Sequence, residues 1–162
     1  MSELNWFVGH TKSRREKKFA EHCERQMIAV TLPCYNSAHK YRGKTVVFRK
    51  PLFPGYVFLR LPPEKVAAIR QSGHLANLLP VFDQETFASQ LTDILRALEI
   101  DVDVELAPGI GEGMRVRIRN GPLAGIEGWV EKRYGMTTVL LRLDFINQAA
   151  AVKVEADQLE EV

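Results

Sequence analysis

One stretch of sequence constrains the fold more than any other, because it divides the chain in two. Residues 100–113 (IDVDVELAPGIGEG) are acidic at first and then rich in Gly and Pro. This composition is typical of a connection between domains. A chain of 162 residues is long enough for one medium and one small domain. We therefore predict a first domain at 1–100, a linker at 101–112 and a second domain at 113–162.

Before this boundary the hydrophobic period changes several times. Residues 4–10 are aromatic and β-branched, as in a strand, whereas Phe19, Cys23 and Met27 recur four apart, as on the buried stripe of a helix. The later elements are predicted to be an edge strand at 27–35, a basic hairpin at 36–50 turning near Arg42-Gly43, a strand at 56–61, a short helix opened by Pro62-Pro63, a strand at 75–82 and a helix after Asp83. This order predicts an α+β fold: a ferredoxin-like domain with an antiparallel sheet and one appended helix.

The second domain has a different pattern. Three arginines (115, 117 and 119) alternate with Val116 and Ile118, as in a strand with one buried face. Short strands separated by glycine turns then predict a small SH3-like β-barrel. A helical alternative is disfavoured, because seven of the eleven glycines lie between 109 and 135 and each costs a helix about 1 kcal/mol against Ala.

Charge is distributed unevenly along the chain. Residues 1–60 contain twelve Lys or Arg against four Glu, a net charge of +8, whereas residues 83–112 contain eight acids against Arg96, a net charge of −7. The overall charge is only +2. The N-terminal part is therefore suited to lie near phosphate, and the acidic part is typical of a solvated face.

Several classes of protein are disfavoured by composition. No stretch approaches the roughly 18 apolar residues of a membrane span, and the first residues lack the layout of a signal peptide, so we expect a cytoplasmic protein with no membrane contact. Cys23 and Cys34 are too few and too far apart for a metal site or a redox motif, and we expect both to be reduced core residues. We expect no metal and no cofactor.

The sequence pattern does not indicate a catalytic site. The four histidines (10, 22, 39 and 74) are scattered, and none is spaced with an acid or a nucleophile in a way that indicates a site. The glycines at 109–113 lead into a strand and not into a helix, which is unlike a phosphate-binding loop. We therefore predict that the chain is not an enzyme and has no catalytic residues.

The segment 113–130 (GMRVRIRNGPLAGIEGWV) resembles the KOW motif, a barrel segment of NusG-type transcription factors and several ribosomal proteins. Alternating apolar residues would fill the barrel, and its glycines would permit turns and close strand approach. The positions that carry the motif are Gly113, Val116, Ile118, Gly121, Pro122, Gly125, Gly128 and Val130.

Motifs in the first domain restrict this resemblance to one family of KOW-containing proteins. Trp6-Phe-Val, a basic first helix and residues 51–58 (PLFPGYVF) resemble the N-terminal domain of the NusG family, in which Phe-Pro-Gly-Tyr is a hallmark. The two motifs cover nearly the whole chain in the family's order. The resemblance implies a transcription elongation or antitermination factor that suppresses pausing or termination.

The resemblance also implies partners. The family's N-terminal domain docks an apolar patch on the clamp helices of RNA polymerase, and here the patch would comprise Phe53, Pro54, Tyr56 and His10. A basic stripe on helix one would contact the non-template DNA strand in the transcription bubble through Lys12, Arg14, Arg15, Lys18 and His22. The KOW domain would recruit a ribosomal protein or a termination factor. The protein itself would act as a monomer.

Alternatives stay open at this point. Leu143-Asp-Phe-Ile-Asn-Gln replaces the Phe-Gly-Arg turn of the housekeeping NusG, and this segment, like Glu24-Arg25-Gln26 and Arg42-Gly43-Lys44, resembles the RfaH-type antiterminators. We favour a specialised paralogue, with the general NusG as the alternative. A further alternative is a KOW-containing RNA-binding or ribosome-associated protein, although the low total charge disfavours it.

Overall fold

The computed structural model describes residues 3–100, 104–108, 113–133 and 136–162. The chain is a mixed α/β protein with antiparallel sheets, and it divides into two compact units, residues 1–84 and 85–162. The division falls after the first residue of helix α3 (Gln84–Glu99), so the helix from Glu85 onward is grouped with the second unit. The boundary at residue 100, which rests on composition, stays a prediction.

The first unit contains one four-stranded sheet, a separate hairpin and two helices. Its elements are β1 (Asn5–Thr11), α1 (Glu16–Arg25), β2 (Ala29–Thr31), β3 (Cys34–Tyr41), β4 (Lys44–Pro51), β5 (Tyr56–Leu61), a 3-10 turn (Pro63–Lys65), α2 (Val66–Arg70) and β6 (Leu75–Pro80). The strand order is β2-β5-β1-β6, and all neighbours are antiparallel. This is the order of the predicted split β-α-β arrangement, with β2 at an edge as Pro33 next to it requires.

Helices α1 and α2 cover one face of this sheet. Phe19, Ala20 and Cys23 on α1 are buried against Val57 and Leu59 of β5, as the period of four predicts. Met27 does not join them: it is 89% exposed and has a φ of 58°. The helix ends at Arg25, and the left-handed residue reverses the chain, so the apolar stripe stops one turn earlier than predicted.

The hairpin of β3 and β4 forms a sheet of its own. Its turn residues Arg42 and Gly43 both have positive φ, 48° and 79°, as a two-residue type I′ turn requires. The predicted turn position is therefore confirmed. At the base of the hairpin, the Leu52 amide donates a hydrogen bond of 2.8 Å to the carbonyl of Pro33.

The second unit is rich in strands. After α3 its elements are β7 (Val104–Pro108), β8 (Arg115–Ile118), β9 (Glu127–Arg133), β10 (Met136–Leu143), a 3-10 turn (Asp144–Ile146), β11 (Gln148–Lys153), a 3-10 turn (Ala156–Gln158) and β12 (Leu159–Glu161). They form one antiparallel sheet in the order β12-β8-β9-β10-β11-β7. Strand β7 lies inside the predicted linker 101–112 and pairs with β11, where Val104 and Ala107 are buried. The other residues of that linker lie outside the described residues.

Helix α3 is held in the second unit by side chains along its length. The rings of Phe87 and Phe145 meet edge to face at 6.2 Å. Gln90 exchanges two hydrogen bonds of 2.9 Å with Asp144, and the Arg96 guanidinium donates to the carbonyl of Pro122 at 2.8 Å. In the described part of the chain, no helix is long and apolar enough to cross a membrane.

Candidate functional site

The segment Phe53-Pro54-Gly55-Tyr56 forms a tight turn before β5. The Tyr56 amide donates a hydrogen bond of 3.1 Å to the carbonyl of Phe53, which closes the turn. Pro54 stands second and Gly55, with a φ of 87°, stands third, as a type II turn demands. The Thr11 amide donates to the carbonyl of Gly55 at 2.9 Å. The turn is therefore fixed to the end of β1.

This turn brings two predicted site residues together. Tyr56 is the register partner of His10 across the β1–β5 pair, and their rings stack with centroids 5.1 Å apart and an interplanar angle of 17°. His10 and Pro54 are exposed, and Tyr56 is half-buried. We call His10, Pro54 and Tyr56 the turn patch.

Phe53 does not belong to this exposed patch. Its side chain is 1% exposed and packs edge to face on Phe58, with centroids 6.1 Å apart. In this conformation Phe53 is therefore not accessible, and its contact with RNA polymerase stays a prediction. Its burial follows from the turn, which directs Phe53 inward against β5 while Pro54 stays outside. Phe53 supports the patch from beneath.

The predicted basic stripe has a different local structure from the one expected. Helix α1 begins at Glu16, so Lys12, Arg14 and Arg15 precede it. They form a turn, in which the Arg15 amide donates to the carbonyl of Lys12 at 3.2 Å and Arg14 has a positive φ of 60°. Only Lys18 and His22 lie on the helix as predicted. The five residues, of which all but half-buried His22 are exposed, are called the basic face.

His74 lies beside the basic face although no sequence pattern indicated it. Its ring is 5.7 Å from that of His22, and its carbonyl accepts a hydrogen bond of 2.9 Å from the Lys12 amide. Burial lowers the pKa of His74 below its usual value, and the positive charges of Arg15, His22, Lys18 and Arg25 lower it further. Near neutral pH, His74 is therefore a neutral group next to a cluster of cations.

In the second unit, the residues that resemble a KOW motif lie on β8, on β9 and in the turn between them. Val116 and Ile118 are buried and alternate with exposed arginines, as predicted. Gly121 and Gly125 have positive φ, whereas Pro122 is exposed and Val130 is half-buried. A Cβ on Gly128 would lie 2.6 Å from the carbonyl oxygen of Leu140. A Cβ on Gly113 would collide with the carbonyl oxygen of Val130. These two glycines allow close strand approach.

A cleft of about 550 Å³ lies between α3 and the sheet of the second unit. The Trp129 indole in its wall has the guanidinium of Arg142 3.8 Å from the ring centroid and that of Arg115 5.3 Å away. Across the cleft, burial raises the pKa of Asp93 above its ordinary value. No sequence pattern indicated that these residues meet, because contacts between a helix and a sheet depend on tertiary packing.

The two cysteines belong to none of the surfaces described above. Cys23 and Cys34 are free and buried, as predicted. Burial, with a smaller effect from the charge of Glu24, raises the pKa of the Cys23 thiol to about 12. Within 3–100, 104–108, 113–133 and 136–162, no three His, Cys, Asp or Glu residues form a group that could hold a metal ion.

Comparisons with known proteins agree with the resemblance of the motifs. A family model described as "Transcription termination factor nusG" matches residues 4–93, more than half of the chain. The chain is 26% identical to the transcription termination/antitermination protein NusG of Lactococcus lactis, over 99% of this chain and 94% of that protein. It is 22% identical to the protein of the same name from Bacillus subtilis and 21% identical to that from Halalkalibacterium halodurans, over 99% of every chain. The chain therefore belongs to the NusG family of transcription termination and antitermination factors.

Proposed function

We propose that the chain is a transcription elongation or antitermination factor that binds the clamp helices of RNA polymerase through the turn patch. The observation that carries this proposal is the stacked pair of His10 and Tyr56, presented beside exposed Pro54 at one end of the sheet. A few aromatic anchors supply most of the affinity in contacts with a partner helix. Since the turn is closed by backbone hydrogen bonds, the patch would lose little conformational entropy on binding.

The basic face is proposed to contact the non-template DNA strand of the transcription bubble. Its side chains are suited to phosphate oxygens, which position a protein on nucleic acid without reading its sequence. Lys18 and His22 project from α1 close to Arg15 and His74. A neutral His74 offers a ring next to these cations, and a base could stack there.

The second unit is proposed to be a KOW barrel that recruits a partner, either a ribosomal protein or a termination factor. Two observations support this proposal. The side chains of Val116 and Ile118 are buried, as expected if they fill a barrel, and strands β9 and β10 approach closely at Gly128. The protein is proposed to act as a monomer.

We favour a specialised antiterminator over the general NusG. The support is the segment between β10 and β11, where Asn147 has a φ of 54° at the end of a 3-10 turn. Asn adopts this left-handed conformation more readily than most residues, so Asn147 can end the turn although the segment contains no glycine.

The proposal is tested by transcription in vitro with purified RNA polymerase. Adding the full-length protein should shorten pauses and increase read-through at terminators, and tagged protein should retain polymerase at moderate salt. Co-sedimentation with ribosomes in high salt, without retention of polymerase, would favour the ribosome-associated alternative. Longer pauses or more termination would contradict the antitermination function while leaving the family assignment intact.

A further inference from the structure

The hairpin of β3 and β4 presents a face whose composition the proposed function does not use. The pairing of Tyr35 with Lys50, Ser37 with Phe48, His39 with Val46 and Tyr41 with Lys44 puts these eight side chains on one side, since side chains alternate along a strand. We call this side the ribbon face. Tyr41 is 58% exposed and Phe48 is 42% exposed.

Three rings on the ribbon face form a connected cluster. His39 meets Phe48 edge to face at 5.5 Å, and Tyr41 meets Phe48 in the same way at 6.4 Å. Cross-strand contacts of this kind orient the rings although the hairpin is a sheet of only two strands. The cluster is therefore an ordered aromatic surface that stays open to solvent.

The charge around the cluster is of one sign. No Asp or Glu occurs between Glu24 and Glu64, and the hairpin contains Lys40, Arg42, Lys44, Arg49 and Lys50. The Lys50 ammonium lies 3.0 Å from Nε2 of His39 and so sits at the edge of the aromatic cluster. Lys44 lies next to Tyr41 across the turn. Such a surface is complementary to a polyanion.

From this juxtaposition we propose that the ribbon face binds single-stranded nucleic acid, with bases stacking on Tyr41 and Phe48 and phosphates contacting Lys44 and Lys50. Ordered aromatic rings beside cations are the combination that holds unpaired strands, because every base has a face that can stack. A duplex would offer its phosphates but not its base faces, so the exposed rings would find no partner there. The ribbon face shares no residue with the basic face, and binding to it does not depend on polymerase docking.

Fluorescence anisotropy with full-length protein tests the proposal. The probes are a labelled 15-nucleotide DNA strand of mixed sequence, the RNA strand of the same sequence, and the DNA annealed to its complement. Tyr41→Ala with Phe48→Ala should weaken single-strand binding at least tenfold, given about 1–3 kcal/mol per stacked base. Lys44→Ala should lower the salt slope of binding by about 1.

The matched control is Val47→Ala, which removes a side chain that is 59% exposed on the opposite side of the same hairpin. The affinity of Val47→Ala for the single strands should lie within twofold of that of the original protein. Circular dichroism of each variant checks that the fold is retained. The proposal is overturned if the double variant binds as tightly as the original protein, or if the duplex binds more tightly than either single strand. Comparing the DNA and RNA arms identifies the preferred strand.

A second variant separates this proposal from the function of the other surfaces. If Arg15→Ala with Lys18→Ala abolishes single-strand binding while Tyr41→Ala with Phe48→Ala does not, the basic face carries all of it and the ribbon face carries none.

Discussion

The rings of His10 and Tyr56 stack face to face with their centroids 5.1 Å apart, across the antiparallel pairing of β1 and β5. The residues are 46 positions apart in sequence, and the turn closed by Phe53 and Tyr56 sets their separation. The stack stands at the end of a sheet whose opposite face is covered by α1 and α2. This arrangement gives the protein a rigid aromatic patch that is accessible to a partner.

Tyr56→Ala is expected to weaken binding to RNA polymerase at least tenfold without unfolding the protein. The substitution removes a half-buried aromatic anchor of the kind that contributes about 2 kcal/mol or more to an interface. A pull-down with purified polymerase measures the effect. Phe82→Ala is the matched control, because Phe82 is an aromatic residue that is 88% exposed and lies beyond the far end of β6. Equal retention of both variants would exclude the turn patch as the docking surface.

Phe53→Ala should act on stability. Removing a buried Phe leaves a cavity and costs about 3–5 kcal/mol. Unfolding in urea, followed by circular dichroism, should show this loss for Phe53→Ala and a change below about 0.5 kcal/mol for Phe82→Ala. A stable Phe53→Ala variant that fails to bind polymerase would show instead that Phe53 contacts the partner after a rearrangement.

Arg14→Ala with Lys18→Ala should weaken DNA binding and flatten its dependence on salt. Each lost phosphate contact lowers the slope of log affinity against log salt by about 1. The measurement is anisotropy with a single DNA strand at several salt concentrations. Lys65→Ala, which removes a lysine from the loop before α2, is the control. An unchanged slope in the double variant would assign these cations to solvation.

His74 should make stability depend on pH. Because its pKa is lowered by folding, the unfolded chain takes up a proton first as pH falls below its usual value near 6.5. The stabilisation is therefore complete above that pH and is lost as pH falls toward the folded pKa. Urea unfolding at pH 7.5 and pH 5.5 should give a smaller difference for His74→Gln than for the original protein. An equal difference in the two proteins would contradict this assignment to His74.

Gly128→Ala should destabilise the second unit. An added methyl would meet the carbonyl oxygen of Leu140 and Cγ1 of Val139, each at 2.6 Å, so strands β9 and β10 would have to separate. Overpacking of this kind costs about 1–3 kcal/mol. In a Trp6→Phe background the fluorescence of Trp129 reports on this unit alone, and its transition should move to lower denaturant. An unshifted transition would mean that the strands can separate at little cost.

The order of strands in the first unit was predictable, because each strand and helix has its own hydrophobic period. The interpretation of the basic residues was less accurate. Arg14 continues the spacing of four between Lys18 and His22, yet the chain turns at Arg14 before the helix begins. Spacing shows which residues would share a helix face but does not show where the helix starts.

The sequence by itself determined the local turns and the alternating strands. Pro54 with Gly55, and Gly43 in the hairpin, specify their turns through φ preferences that act within a few residues. Only the tertiary structure decided that Phe53 is buried on Phe58, that His74 lies beside His22 and that α3 packs with the second unit. Those outcomes depend on which surfaces meet after the chain has folded, and contacts between distant segments have no period that a sequence could display.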